Sequence, residues 1–81
     1  MKLKKHYKVV VNIEFLYEDL TFNQLQHKGD YETWATSEKQ AINNIRFRLN
    51  DKSGGLPFYT GFDHSVGCEL EVFYKYKAYL I

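Results

Sequence analysis

The feature that most restricts the fold of this chain is an alternation of side chains near its start. Between positions 7 and 17 every second residue is apolar or aromatic, and the set comprises Tyr7, Val9, Val11, Ile13, Phe15 and Tyr17. A period of two, in residue types that favour extended backbone, predicts a long strand whose odd-numbered side chains face a core. The even-numbered side carries Val10 and Leu16 among polar residues, so the outward face keeps some apolar surface.

The C-terminal residues repeat this alternation with the opposite parity. The apolar or aromatic set is even-numbered and comprises Cys68, Leu70, Val72, Tyr74, Tyr76, Ala78 and Leu80. The odd-numbered set is mostly charged but contains Phe73 and Tyr79. We therefore predict a last strand that pairs with the first one.

A second strand and a helix are predicted between these two strands. The run from Tyr31 to Thr36 has strong strand propensity and indicates a hairpin partner of the first strand, while residues 21–27 fit either a strand or a surface loop. Residues 37–40 form a capping box, in which the Ser37 hydroxyl accepts from the Gln40 amide and the Gln40 side chain returns to the Ser37 amide. A helix over residues 38–50 follows, and Asn50 with the glycines at positions 54 and 55 supplies its stop.

These elements predict one α+β domain over residues 1–81 in the order β-β-α-β. We expect an antiparallel sheet of three or four strands with the helix packed on one face. Residues 51–67 form a long connection that holds the only proline and four of the five glycines, with room for a short strand over residues 57–60. The predicted core comprises Tyr7, Val9, Val11, Ile13, Phe15, Ala41, Ile42, Ile45, Leu49, Leu70, Val72 and Tyr74.

Composition restricts the class of protein. Aromatic residues make up 17% of the chain, which argues against intrinsic disorder, and a net charge of +1 provides no overall field toward nucleic acid or an anionic membrane. A single cysteine excludes an intrachain disulfide framework and is typical of a reducing compartment, so we expect a cytoplasmic protein. No apolar run approaches about 18 residues and no secretory signal is evident, so we expect no membrane partner.

Few residues indicate catalysis or metal binding. The sequence contains no serine elbow, paired-carboxylate motif, glycine-rich phosphate loop or dinucleotide fingerprint, so we do not expect an enzyme. Cys68 lies on the inward side of its predicted strand, where a thiol behaves as a small hydrophobe. His64 and Cys68 have a spacing found in zinc sites, and a full site would need His27 or His6 as well. Because one cysteine falls short of the common zinc ligand sets, we predict no cofactor and keep zinc as a lower-ranking alternative.

The outward face of the predicted sheet fits nucleic-acid binding as an alternative function. Lys8, Lys75 and Lys77 accompany Phe73 there, and cations beside aromatic rings hold single-stranded nucleic acids. The glutamates at positions 14, 18, 69 and 71 fall on the same face and dilute this positive charge. Protein binding therefore ranks above nucleic-acid binding.

The leading hypothesis is a protein-binding module, because an outward apolar patch of this kind is rarely exposed by a solitary monomer. The candidate contact residues are Val10, Leu16, Phe73 and Tyr79 on the outward face, Phe58, Tyr59 and Phe62 in the long connection, and Phe47 on the helix. Two alternatives stay open: residues 51–67 fold over the outward face and hide it, or they leave it exposed. The partner would be a larger protein or a second copy of the chain.

The stretch from Tyr31 to Leu49, YETWATSEKQAINNIRFRL, resembles a pattern in small accessory proteins of phages and mobile elements of low-GC Gram-positive bacteria. In that pattern a strand with an apolar-Ala step leads through Ser-Glu-x-x-Ala-Ile into an amphipathic helix. The group includes anti-CRISPR inhibitors, which bind a host nuclease and carry no chemistry of their own. The resemblance implies a non-catalytic inhibitor that binds a host protein, and it assigns no site residues. This chain differs from the strongly acidic DNA mimics of the group because it is nearly neutral.

Overall fold

The computed structural model describes residues 3–18 and 23–81. These residues form β1 (Lys5–Tyr17), β2 (Asn23–Ala35), α1 (Glu38–Arg48), β3 (Tyr59–Asp63) and β4 (Cys68–Leu80). The four strands form one open antiparallel sheet in the order β2-β1-β4-β3. The predicted α+β class is confirmed, and so is the pairing of the first strand with the last. No helix among the described residues is long and apolar enough to cross a membrane.

β1 lies inside the sheet, and its register defines the two faces. Val9 is opposite Tyr31 on β2 and Ala78 on β4, so these three side chains point to the same side. We call this side the inner face, because it carries the buried cluster described below. The opposite side is the outer face, on which Val10 is opposite Lys77.

β2 is longer than the predicted 31–36 and contains one bulge. Val11 is opposite Gly29, but the next residue of β1, Asn12, is opposite His27, so Lys28 is an extra residue in β2. Odd-numbered residues of β2 after the bulge, such as Gly29 and Tyr31, lie on the inner face. Odd-numbered residues before it, Leu25 and His27, lie on the outer face. The positions 21 and 22, in the stretch that fitted either a strand or a loop, lie outside the described residues.

The helix begins at the predicted residue. Ser37 is the N-cap, and its Oγ accepts a hydrogen bond from the Gln40 amide at 3.1 Å. The second half of the predicted capping box is wrong, because the Gln40 side chain accepts from the Thr36 amide instead of the Ser37 amide.

The helix ends at Arg48, two residues before the predicted end. Asn50 has a φ of 59°, in the left-handed region. The amide of Asp51 donates to the Arg46 carbonyl at 2.9 Å, and the amide of Asn50 donates to the Phe47 carbonyl at 3.1 Å; these are the two hydrogen bonds of a Schellman motif. Asn50 therefore stops the helix as predicted.

One buried cluster joins the helix to three strands. Its members are Tyr7, Val9 and Val11 of β1, Ala35 of β2, Ala41 and Ile45 of α1, and Ala78 of β4. Val9, Val11 and Ile45 are fully buried. Around the cluster pack the partly buried Tyr31, Ile42, Leu49, Tyr74 and Tyr76.

The predicted core is confirmed in part. Its members that are buried are Tyr7, Val9, Val11, Ala41, Ile45, Leu70 and Val72. Ile13 and Phe15 are only half-buried, because they lie on β1 beyond the end of the cluster. The prediction missed Ala35 and Ala78, which are small enough to lie beneath neighbouring side chains and are both buried.

The connection between α1 and β4 contains β3. This strand overlaps the short strand allowed over residues 57–60 and begins two residues after the start of that range. β3 pairs with residues 68–72 of β4. Residues 51–58 contact the inner face, since the Phe58 ring stacks on Tyr74 with centroids 4.3 Å apart and the Tyr76 hydroxyl donates to Asp51 at 2.5 Å. The side-chain contacts described for residues 51–58 thus lie on the inner face of the sheet and not on the outer face.

The molecule is elongated, with extents of 52 × 21 × 17 Å and a radius of gyration of 15.0 Å. A compact domain of this length has a radius of gyration of about 12 Å. We call the end that holds α1 and residues 5–11 of β1 the helix end, and the end that holds β3 and residues 13–17 of β1 the β3 end. Both ends share the same long strands.

Candidate functional site

The four contact residues predicted on the first and last strands lie on the outer face, as two separate pairs. Val10 and Tyr79 are diagonal neighbours at the helix end, and Leu16 and Phe73 are diagonal neighbours at the β3 end. Leu16 is 36% exposed and Tyr79 44% exposed. The polar residues at positions 12 and 75 lie between the pairs, so the apolar surface is not continuous.

Leu16, one member of the pair at the β3 end, lines a groove of about 480 Å³. The groove lies over β4. It is lined by Leu16 on β1, Glu18 just after β1, Thr60, Gly61 and Phe62 on β3, and Glu69, Leu70 and Glu71 on β4. Leu16 and Phe62 give it two apolar walls, and Phe62 is 49% exposed. Because the three charged side chains are all glutamates, the groove suits a segment with apolar and basic side chains.

Three lysines lie near aromatic rings elsewhere on the outer face. The Nζ atoms of Lys8 and Lys77 are 5.9 and 5.4 Å from the centroid of the Tyr79 ring. The Nζ atom of Lys75 is 6.0 Å from the Phe73 centroid, and it also pairs with a glutamate of β1 at 3.5 Å. The structure thus brings the four residues of the nucleic-acid alternative to one face, within cation–π distance of aromatic rings.

A further outer-face cluster, on β1 and β2, was missed by the sequence analysis. The His6 and Trp34 rings stack with centroids 4.7 Å apart, and Trp34 is 60% exposed. His6 lies 3.0 Å from Glu32, and His27 lies 2.8 Å from Asp30. This cluster depends on the register of β1 and β2, which places Trp34 opposite His6. The sequence alone did not determine that register.

The other predicted contact residues do not share one surface. Phe62 lies on the outer face, and its ring is 4.9 Å from that of His64. Tyr59 lies on the inner face because it is opposite Val72, which is itself opposite Phe15. Phe58 precedes β3, and its ring also lies on the inner face because it stacks on Tyr74. Phe47 is 89% exposed on α1.

Two tyrosines cover the inner face at the β3 end. The Tyr17 hydroxyl of β1 donates to Asp63 of β3 at 3.3 Å, so the Tyr17 side chain crosses β4 near Leu70. The Tyr59 side chain lies over Gly61, where a Cβ atom would be 2.5 Å from the tyrosine hydroxyl. Leu70 is buried beneath this cover.

The Tyr17–Asp63 contact is reflected in both pKa values. The Ser65 hydroxyl, followed by backbone and Tyr17 hydrogen bonds, holds the pKa of the Asp63 carboxyl below its usual range, although desolvation opposes this. Burial and the hydrogen bond to Asp63 raise the pKa of Tyr17. The carboxylate therefore organises the turn after β3 and stays ionised at neutral pH.

A second tyrosine–carboxylate pair lies at the helix end. The Arg46 guanidinium is 4.9 Å from the centroid of the Tyr76 ring, and Tyr76 donates to Asp51. Burial alone would raise the pKa of the Asp51 carboxyl, but hydrogen bonds from Ser53 and Tyr76 outweigh it and hold the pKa below its usual range. Burial, followed by the bond to Asp51, raises the pKa of Tyr76. The Tyr76–Asp51 hydrogen bond therefore links the segment that follows α1 to β4.

The three candidate zinc ligands are not brought together. His27 is on β2 and Cys68 on β4, with β1 between these strands. Cys68 is buried on the inner face, whereas His64 is exposed in the turn after β3. Among residues 3–18 and 23–81 no group of three or more His, Cys, Asp or Glu side chains has an arrangement that could hold a metal ion.

The comparisons with known proteins add no relative to this description. The chain matches no protein-family model, no curated protein and no solved structure.

Proposed function

We propose that this protein is a non-catalytic protein-binding module that docks on a larger protein through the groove at the β3 end of its outer face. In this proposal α1 covers the inner face and leaves the outer face to the partner. The single observation that carries the proposal is the groove itself, with Leu16 and Phe62 as its apolar walls.

The charge of the groove supports a protein partner over a nucleic acid. Glu18, Glu69 and Glu71 lie along it, and their carboxylates would repel a phosphate backbone. A polypeptide with an apolar side chain and a lysine or arginine would complement both the apolar residues and the glutamates of the groove. Such a combination of a central apolar contact and charged surroundings is the usual composition of a protein interface.

The resemblance of residues 31–49 to small phage and mobile-element accessory proteins suggests which partners to try first. A host protein such as a CRISPR nuclease is the partner class that this resemblance implies. In that case the module is an inhibitor that acts by occupying a surface of the nuclease.

The test is a binding titration against purified CRISPR nucleases of low-GC Gram-positive bacteria, followed by a nuclease assay. We expect Phe62→Ala and Leu16→Ala to weaken binding by about 2 kcal/mol each, the effect of removing a central anchor. The control is Phe47→Ala, which removes a more exposed phenylalanine ring from a different surface. A complex that forms with unchanged affinity in both groove variants contradicts the docking surface, and the absence of any complex contradicts the proposed partner class.

A second candidate function is single-stranded nucleic-acid binding at the helix end of the outer face. The observation that favours it is the approach of Lys8 and Lys77 to the Tyr79 ring, which leaves two cations beside a stacking surface. We expect Lys77→Ala to weaken binding to a labelled oligothymidine and to reduce its salt dependence. Lys52→Ala, which removes an exposed lysine from the segment after α1, is the matched control. Binding that neither variant alters at low salt contradicts this function.

A further inference from the structure

The C-terminal half of β4 has a free backbone edge. β3 pairs with β4 only as far as Val72, and beyond that residue β4 pairs with β1 alone. The Ile81 amide donates to the His6 carbonyl, so odd-numbered residues of β4 direct their backbone groups toward β1. The even-numbered residues direct theirs away from β1, as the bond from the Phe58 amide to the Val72 carbonyl demonstrates.

Four residues therefore present N–H and C=O groups at this edge: Tyr74, Tyr76, Ala78 and Leu80. Within residues 3–18 and 23–81, no backbone group hydrogen-bonds to them from that side. A row of unpaired groups of this kind is a template for the addition of another extended segment.

The side chains along this edge indicate the charge of the segment. Lys75 and Lys77 are exposed on the outer face of the edge, and Arg46 lies against Tyr76 on its inner side. The outer side of the free edge therefore carries two cations, whereas on the inner side the Asp51 carboxylate offsets the charge of Arg46. We propose that the edge of β4 from Tyr74 to Leu80 binds an extended acidic segment of a partner protein by strand addition.

A second copy of the chain fits this edge less well. A symmetric antiparallel pair centred on Tyr76 would place Lys75 opposite Lys77 of the second copy. One centred on Lys77 would place two copies of that lysine opposite each other. Like charges directly opposite each other destabilise a strand pair. The lysines therefore act against these two self-pairings and in favour of an acidic segment.

This edge is distinct from the groove of the proposed function, and the two can be tested separately. The probe is a short blocked peptide of alternating glutamate and valine, with a lysine–valine peptide as its control. We expect the acidic peptide to bind at least about tenfold more tightly than the basic one, with an affinity that falls as salt is added. On binding, amide hydrogen exchange should slow at Tyr74, Tyr76, Ala78 and Leu80.

Two proline variants separate edge binding from loss of structure. Leu80→Pro removes an N–H that faces the free edge, and we expect it to weaken peptide binding while the melting temperature stays close to that of the wild type. Ile81→Pro removes the N–H donated to His6, and we expect a lower melting temperature with peptide binding retained. Lys77→Glu provides a second test in a variant that keeps every backbone donor, and it should weaken binding of the acidic peptide about tenfold.

Three results overturn the proposal. The first is equal affinity for the acidic and basic peptides, and the second is an unchanged hydrogen-exchange rate of the four edge amides at saturating peptide. The third is slower exchange of these amides when only the protein concentration is raised, which would identify a second copy as the occupant. Leu16→Ala should leave peptide binding unchanged. The groove and the edge can therefore fail independently.

Discussion

The two ends of the sheet share three strands but are buried by different means. At the helix end Val9 and Val11 are fully buried in one cluster with Ile45 of α1. At the β3 end the same row of β1 continues as Ile13 and Phe15, which are only half-buried. The alternation of side chains thus determines which face a residue occupies, and contact with the cluster that contains Ala41 and Ile45 determines how deeply it is buried.

The difference has a consequence for stability. A fully buried aliphatic side chain contributes about 1.5–3 kcal/mol, and a half-buried one contributes correspondingly less. At the β3 end part of the cover is provided by Tyr17 and Tyr59, which lie over Leu70 and Gly61. We therefore expect the helix end to dominate the free energy of unfolding.

The largest expected effect is that of Ile45→Ala. Ile45 is fully buried between the helix and the strands, so its truncation should lower the free energy of unfolding by about 2–5 kcal/mol. Denaturant titration measures this difference. Phe47→Ala, two positions along the same helix, should change it by less than about 0.5 kcal/mol because Phe47 is 89% exposed. Equal effects of the two substitutions would contradict the burial of Ile45 in the cluster at the helix end.

A smaller effect is expected for Tyr76→Phe, which removes the hydroxyl that donates to Asp51. At neutral pH we expect a loss of about 1 kcal/mol, since the acceptor is charged but the pair is partly exposed. Because the pKa of Asp51 is lowered in the folded state, its contribution is present above the unfolded pKa of about 3.9 and is lost as the pH falls through the folded value. The difference between wild type and variant should therefore shrink in acid.

The alkaline side gives the control for that prediction. The pKa of Tyr76 is raised in the folded state, so its contribution is complete below the unfolded pKa of about 10 and is lost as the pH rises above it. Tyr76→Phe should remove this part of the alkaline loss of stability. Chemical denaturation of both proteins across the pH range measures the effect, and a pH-independent difference would contradict the assigned pair.

The smallest effect is expected at the β3 end, for Gly61→Ala. The new Cβ atom displaces the Tyr59 side chain, which is 53% exposed and can move, so we expect a cost of no more than about 1 kcal/mol. In a Tyr59→Ala background the same change should stabilise by about 0.5 kcal/mol, because alanine restricts the unfolded chain more than glycine does. A double-mutant cycle measures the coupling, and strict additivity would show that Tyr59 does not lie over Gly61.

Much of the fold could be predicted because its signals are local. The alternation in β1 and β4, the Ser37 cap and the left-handed Asn50 each depend on a few neighbouring residues. β2 was predicted too short, because its first half is polar and its bulge at Lys28 interrupts the alternation. A short stretch of sequence does not show that a polar strand such as the first half of β2 is stabilised by pairing with β1.

The candidate site was less predictable, because it depends on register. The outer-face positions of Leu16, Phe73 and Tyr79 followed from parity alone. The groove required the pairing of β3 with β4, and the His6–Trp34 stack required the hairpin register. These long-range pairings are set by the packing of the whole sheet, which a single sequence does not reveal.

The elongated shape affects how this protein behaves in solution. A particle of 52 × 21 × 17 Å has more frictional drag than a sphere of the same mass, so it diffuses more slowly and leaves a gel-filtration column earlier. A monomer would therefore give an apparent mass above its true one. Sedimentation equilibrium depends on mass and not on shape, and it is the measurement that distinguishes a single chain from a pair joined along the edge of β4.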